Sequence, residues 1–207
     1  MKSTIIPLVA LAPLVVILPS CENPADTTTD AEVQSSQSVA TASATAQTYR
    51  FTQTSVIGFT GSKVTESHSG GFKTFSGGFT VNNGVPESGS FTIDMTSIWS
   101  DDERLTGHLK NEDFFNVPKF PESKFEVTKF QQDSATTYTV SGNLTMVGVT
   151  KNITFPTTVT QSADTVTLQS SFDINRKDWG IIYAGMADNL IRDEVVITLN
   201  LTAEAEK

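Results

Sequence analysis

The chain has 207 residues, a formal net charge of −9 and one cysteine. An acidic surface excludes the lysine- and arginine-rich footprints that bind nucleic acid or anionic head groups. A single cysteine excludes an intramolecular disulfide, so the folded part must be held by its own core.

Residues 1–20 read as an export signal. Lys2 is followed by an apolar run from Ile5 to Leu18 that contains Pro7 and Pro13, too short for a membrane span of roughly 20 residues. Leu18-Pro19-Ser20-Cys21 resembles a bacterial lipobox. That resemblance implies removal of the leader, lipidation of Cys21 and anchoring at the cell envelope on the periplasmic face. Residues 21–47 are Ser, Thr, Ala, Gln and acids, with no aromatic residue, lysine or arginine. Such a stretch buries too little apolar area to offset its ordering, which predicts a disordered tether.

Residues 48–207 have the texture of a folded domain. Short runs alternate apolar with small or polar residues, as in Ile57/Phe59, Phe91/Ile93, Phe125/Val127 and Val140/Leu144/Met146. Further runs carry Ile153/Phe155/Val159, Val166/Leu168/Phe172/Ile174 and Val195/Ile197/Leu199/Leu201. This period of two predicts half-buried antiparallel strands. Asn82-Asn83-Gly84 supplies a hairpin turn, because Asn and Gly accept positive φ. Phe130 falls out of phase with Phe125 and Val127, which predicts a bulge. Gly70-Gly71 and Gly77-Gly78 mark turns, bulges or close backbone approach.

One helix is expected, over Asp101–Asn111. Asp101 or Asp102 caps it, and Leu105 and Leu109 share a face. Pro118 and Pro121 prevent further helix. About eight strands with one apolar face each fit an all-β domain. A closed antiparallel barrel leaves no unpaired edges, and a two-sheet sandwich is the alternative. All 13 phenylalanines lie in this domain, against 3 tyrosines. Phe supplies apolar area without a hydroxyl to satisfy, which suits either a filled core or an apolar pore.

No catalytic constellation stands out. His68 and His108 are the only histidines; there is no Gly-x-Ser-x-Gly elbow and no His/Cys cluster at metal-ligand spacing. His108 is expected to fix the helix to the barrel, and His68 to sit in a loop or at a strand end. Arg176 and Asp178 flank a turn and are expected to pair. The reading is therefore non-enzymatic, with no cofactor and no metal.

Three motifs carry a family resemblance: GHLKNEDFFNVPKFP (107–121), GNLTMVGVTKNITFP (142–156) and INRKDWGI (174–181). With FTGSKVTESHSGGFK (59–73) and the Asp193-Glu194-Val195 ending, they resemble the YceI-like domain family of exported lipid-binding proteins. The resemblance implies an eight-stranded antiparallel lipocalin-like barrel with one short helix. It also implies a pore for a long isoprenoid chain, a quinone or a similar amphiphile. Trp179 stands where many relatives have Phe, which predicts a narrowed end.

From strand alternation, the expected lining is Phe79, Phe91, Ile93, Phe125, Val127, Leu144, Phe155 and Phe172, with Trp179 near a mouth. Leu105, Leu109, Phe114 and Phe115 are expected to close one part of the barrel. Gly142 is expected to face inward and leave room. The resulting expectation is sequestration or transport of an isoprenoid lipid or quinone at the cell envelope. The alternative is an envelope scaffold with a filled barrel and no ligand.

Overall fold

The computed structural model describes residues 22–162, 164–187 and 189–207. The export signal and Cys21 lie outside the described residues. In chain order the strands are β1 (Thr29–Asp30), β2 (Glu32–Ser35), β3 (Gln47–Phe51), β4 (Val56–Lys63), β5 (Ser67–Phe72), β6 (Phe75–Asn82), β7 (Val85–Asp94) and β8 (Ile98–Ser100). Helix α1 (Glu103–Leu109) follows. Then come β9 (Glu122–Gln132), β10 (Thr137–Met146), β11 (Val149–Gln161), β12 (Thr165–Asn175), β13 (Gly185–Met186) and β14 (Asn189–Ala205).

The pairings close a barrel. Antiparallel neighbours run β3–β6–β7–β9–β10–β11–β12–β14, and β14 returns to β3. β14 is long enough to pair with β3 through Ala203–Ala205 and with β4 through residues 191–200. β3 and β4 thus act as one interrupted barrel strand. β5/β6 and β7/β8 do the same, since β4 pairs with β5 and β5 with β8. The result is the expected eight-stranded antiparallel barrel with one short helix.

Local chemistry sets the corners. Asn83 (φ 50°) and Gly84 (φ 81°) make the β6–β7 turn, the positive-φ pair of a tight hairpin. The β9–β10 ladder shifts register between Lys129 and Val127, which is the bulge that carries Phe130 out of phase. Asp102 caps α1 by accepting from the backbone N–H groups of Arg104 and Leu105 at 2.7 and 2.9 Å. The glycines of β6 allow close strand approach: a Cβ on Gly78 would lie 1.9 Å from the Tyr49 carbonyl oxygen.

The segment expected to be a disordered tether lies on the barrel wall instead. β11 and β12 pair only across Thr158–Gln161 and Val166–Gln169. Beyond that they splay, and β1 and β2 fill the gap: β1 runs parallel to β12, and β2 antiparallel to β11. The chain continues around the barrel through Gln37 on Asn143, Ala40 on the Val127 carbonyl and Ser43 on Glu87. Composition missed this because the segment is held mainly by backbone hydrogen bonds to an open seam and buries only a few small apolar side chains, Ala25, Ala31 and Val33. Asn143 and Asn152 are the buried amides that hold it. Asn143 bonds both the N–H and the carbonyl of Gln37, and accepts from Asn152.

Candidate functional site: an apolar cavity in the upper barrel

The barrel interior has two halves. In the lower half Tyr49, Phe79, Val127, Val140, Leu168 and Leu201 are buried and leave a space of only about 30 Å³. The upper half encloses a cavity of about 610 Å³. Phe91, Phe125, Phe155 and Leu199 border both spaces and form the floor between them. The floor is an aromatic ladder. Phe91 and Phe125 stack at 5.2 Å, Phe125 and Phe155 meet at 5.8 Å, and Phe155 and Phe172 stack at 4.0 Å. Offset rings of this kind hold one another beyond their area burial.

Gly142 explains how the ladder fits. A Cβ there would lie 2.2 Å from Phe125 Cζ. Gly142 faces inward as expected, but the room it leaves is occupied by the Phe125 ring rather than by open space.

Nine of the sequence-predicted residues line the cavity: Phe91, Ile93, Leu105, Leu109, Phe114, Phe125, Leu144, Phe155 and Phe172. Three do not. Phe79 and Val127 belong to the filled lower half, because alternation gives the face of a strand and not the depth at which the floor lies. Trp179 is 0% exposed and donates from Nε1 to the Leu144 carbonyl at 3.0 Å. It is a pinned core residue behind the wall, not a mouth residue. The expected full-length pore is correspondingly shortened by the floor.

The top is capped by a second cluster of Ile98, Leu109, Phe114 and Ile181, with Leu105, Phe115 and Tyr183 against it. The helix and the two phenylalanines therefore close part of the barrel, as expected. The 181–191 segment was not foreseen as lining, yet Ile181, Tyr183, Met186 and Ile191 all border the cavity. Its alternation is broken by Gly185 (φ 81°), so no strand period announced it. The pattern Ile181-Ile182-Tyr183 was the one available signal.

Polar groups gather at the rim: Lys63, Glu66, His68, Asp102 and Arg104. His68 Nδ1 meets Asp101 Oδ1 at 2.9 Å, and His108 Nε2 meets Asp113 Oδ2 at 2.6 Å. His108 also contacts the rings of Phe114 and Tyr183 edge-on, so it ties the cap together. Each histidine is bonded to an aspartate rather than to a hydroxyl nucleophile. The Lys63 ammonium holds the Glu66 carboxyl below the usual carboxylate range, and the Ser69 backbone N–H does the same for Asp101.

Arg176 also borders the cavity, but it is buried in the wall rather than presented at the rim. Its guanidinium donates to the carbonyls of Arg192 and Ile181 and meets Asp193 at 3.3 Å. Burial lowers its pKa from the ordinary value, while Asp193 and Glu194 oppose that shift. Its partner is Asp193, not the expected Asp178. Asp193 also takes Lys177 at 2.7 Å. Arg176 thereby pins the start of the 181–191 segment. Among the described residues no group of three His, Cys, Asp or Glu is placed to hold a metal ion.

The sequence profile of the YceI-like domain matches residues 27–203. The chain belongs to the YceI-like domain family. Its match begins inside the seam-filling segment. A UPF0312 protein of Pseudomonas putida (strain GB-1) is 40% identical over 91 residues, 43% of this chain and 47% of that protein. One from Photorhabdus laumondii is 36% identical over 86 residues, 41% of this chain and 44% of that protein. The chain spans about half the length of the curated relatives it matches.

Among solved structures, Burkholderia cenocepacia BcnA aligns with a TM-score of 0.64 at 24% identity, covering 72% of this chain and 95% of that one. A polyisoprenoid binding domain from Saccharophagus degradans aligns at 0.63 and 20% identity, covering 77% of this chain and 99% of that one. At these identities the likeness is one of fold.

Proposed function

We propose that this protein is a non-enzymatic carrier that holds the chain of an isoprenoid lipid or quinone in the upper barrel, at the cell envelope. The observation that carries this reading is the apolar cavity of about 610 Å³ beneath a polar rim. A packed core leaves few voids larger than a water molecule, whereas this one is lined by phenylalanine and branched aliphatic residues and opens at one end. A chain sits among the rings, and its head group meets Lys63, Glu66, His68 and Arg104. The description of the Saccharophagus degradans relative as a polyisoprenoid binding domain supports the same ligand class.

The volume sets the length of chain. At roughly 30 Å³ for each water-sized group, the cavity holds about 20 carbons, or four isoprene units. A longer isoprenoid extends through the mouth, because the aromatic ladder stops it below. Moving such a chain from bilayer to cavity exchanges one apolar environment for another. The net gain is therefore small, and cavity shape and the rim determine which lipid is taken.

The test is a length series. Delipidated protein is titrated with isoprenoid alcohols of two to eight units. Affinity is expected to rise with length up to about four units and then level off, since about 0.8 kcal/mol accompanies each newly buried methylene. Absence of binding at every length overturns the carrier reading and leaves the envelope scaffold.

A further inference from the structure

We propose that the mouth of the cavity is a membrane-docking face, seated on the lipid–water interface of a zwitterionic bilayer so that a lipid chain passes between bilayer and barrel without crossing water. This deepens the carrier reading and rests on it.

The first observation is where the chain enters the barrel. Asn23 is buried and accepts from Ser62 Oγ at 3.4 Å, and Ser62 and Lys63 border the mouth. The 3-10 turn Pro24–Thr27 packs on β4 and β14. Thr28 Oγ1 donates to the buried Asp173 carboxylate at 2.7 Å, and β1 and β2 then fill the seam. The strand phase that turns Phe172 and Ile197 inward turns Asp173 and Val196 outward, yet both are buried. They pair with each other across β12–β14, and Val196 pairs with Thr60 of β4, so this row lies beneath the entering segment. No free tether separates Glu22 from the wall. Cys21 is two residues, about 7 Å of extended chain, from Asn23, so a lipid attached there would leave the protein beside the mouth.

The second observation is independent of the first. Eight large apolar side chains are exposed among the described residues, and four stand on two loops of the mouth: Val64 (58%), Ile182 (70%), Met186 (71%) and Leu190 (50%). Thr65 Oγ1 and Asn189 Oδ1 join these loops at 3.0 Å, and Lys63 pairs with Ile191. The four residues therefore ride on one connected rim, continuous with the apolar lining below it. Apolar rims that border a ligand cavity mark interaction surfaces.

Charge selects the partner. The rim carries both signs, Lys63 is already paired with Glu66 at 2.6 Å, and the whole chain is acidic. An anionic surface would repel it, so the fitting surface is zwitterionic lipid, entered by a few apolar side chains to the depth of the head groups.

The experiment places an environment-sensitive fluorophore on the single introduced thiol of Met186→Cys, or of Val85→Cys at the opposite hairpin. Each full-length protein is reconstituted into phosphatidylcholine vesicles through the lipid expected at Cys21. Protein that carries no anchor is read as Cys21→Ser with the same vesicles at millimolar lipid. The label at residue 186 is expected to shift to the blue and to be quenched by nitroxide-bearing lipid chains, while the label at 85 stays aqueous. A label at 186 that stays aqueous, or equal signals at both sites, overturns the proposal. In parallel, the combined Val64→Ser, Ile182→Ser and Leu190→Ser variant, whose three positions do not line the cavity, is expected to keep its bound lipid but exchange it with vesicles at least tenfold more slowly. Unchanged exchange in that folded variant also overturns the docking face. A wild-type protein that binds no lipid at all instead defeats the carrier reading, and the label at 186 still reports on docking alone.

Discussion

Gly142→Leu narrows the cavity from its floor. A Cβ at residue 142 would meet Phe125 Cζ, Cε2 and Cε1 at 2.2, 2.6 and 2.7 Å, where carbon contacts prefer roughly 3.5–4.0 Å. The Phe125 ring must move by more than 1 Å. Phe91 and Phe155 flank it at 5.2 and 5.8 Å, and the lower half offers only about 30 Å³. The ring is therefore driven up into the cavity. The four added carbons occupy about 120 Å³ at roughly 30 Å³ each, a fifth of the 610 Å³ available. Overpacking costs about 1–3 kcal/mol, which a domain of ordinary stability survives. A bound chain loses about four buried carbons. At about 0.8 kcal/mol each that is about 3 kcal/mol, or on the order of a hundredfold in affinity measured from water. Measured from a bilayer the loss is smaller, since the displaced carbons remain in lipid. The assay is a titration of the delipidated variant with isoprenoid alcohols of two and four units, alongside circular dichroism. The longer chain is expected to weaken strongly and the shorter one little, with the β-rich spectrum unchanged. Adding Phe125→Ala should restore the longer chain. An equal loss for both lengths, or no loss in a folded variant, refutes the placement of the floor.

Leu109→Ala removes the centre of the cap cluster and should cost about 2–5 kcal/mol, read by chemical denaturation; an unchanged midpoint would show that the cap does not seal the barrel. Arg176→Lys keeps the charge but loses the fork that bonds the Ile181 and Arg192 carbonyls. It should loosen the 181–191 segment, seen as faster amide exchange there, whereas exchange at wild-type rates would argue against the pin. Cys21→Ser is expected to release the protein from membranes with its melting temperature unchanged; membrane retention of the variant, or a mature N-terminus elsewhere, would contradict the anchor. Asp94, Asp101 and Asp102 are lowered from the ordinary value of 3.8, and Glu66 and Glu87 from 4.5. The native state therefore holds these protons less tightly than the unfolded chain. Their contribution is complete above about pH 5 and is lost as pH falls through the lowered values. Stability should be level in this respect near neutrality and decline below about pH 4.5, and a decline that begins at pH 6 would point to other groups.

Much of the fold was legible because strand alternation reports directly on a half-buried wall. Val140, Leu144, Ile153, Phe155, Phe172 and Leu199 all face the interior as their phase requires, and Asn83-Gly84 turns the chain where expected. Depth along the strand was not legible. Phe79 and Phe91 have the same pattern, but one packs the lower half and the other borders the cavity. What separates them is the ladder built through Gly142, a contact between distant strands. The course of residues 22–47 was hidden for a related reason. A seam between β11 and β12 is a property of the closed barrel, and the segment that fills it is held largely by backbone groups, two buried asparagines and the Thr28–Asp173 bond.

A carrier of the proposed kind holds a single lipid chain in its upper barrel. Native mass spectrometry of protein purified without detergent exchange tests it most directly. The expected result is a stoichiometric added mass that is released on activation and extracts as an isoprenoid lipid or quinone, and that falls in the Gly142→Leu variant. A wild-type protein found repeatedly at its bare polypeptide mass, with the cavity filled only by water, would contradict it.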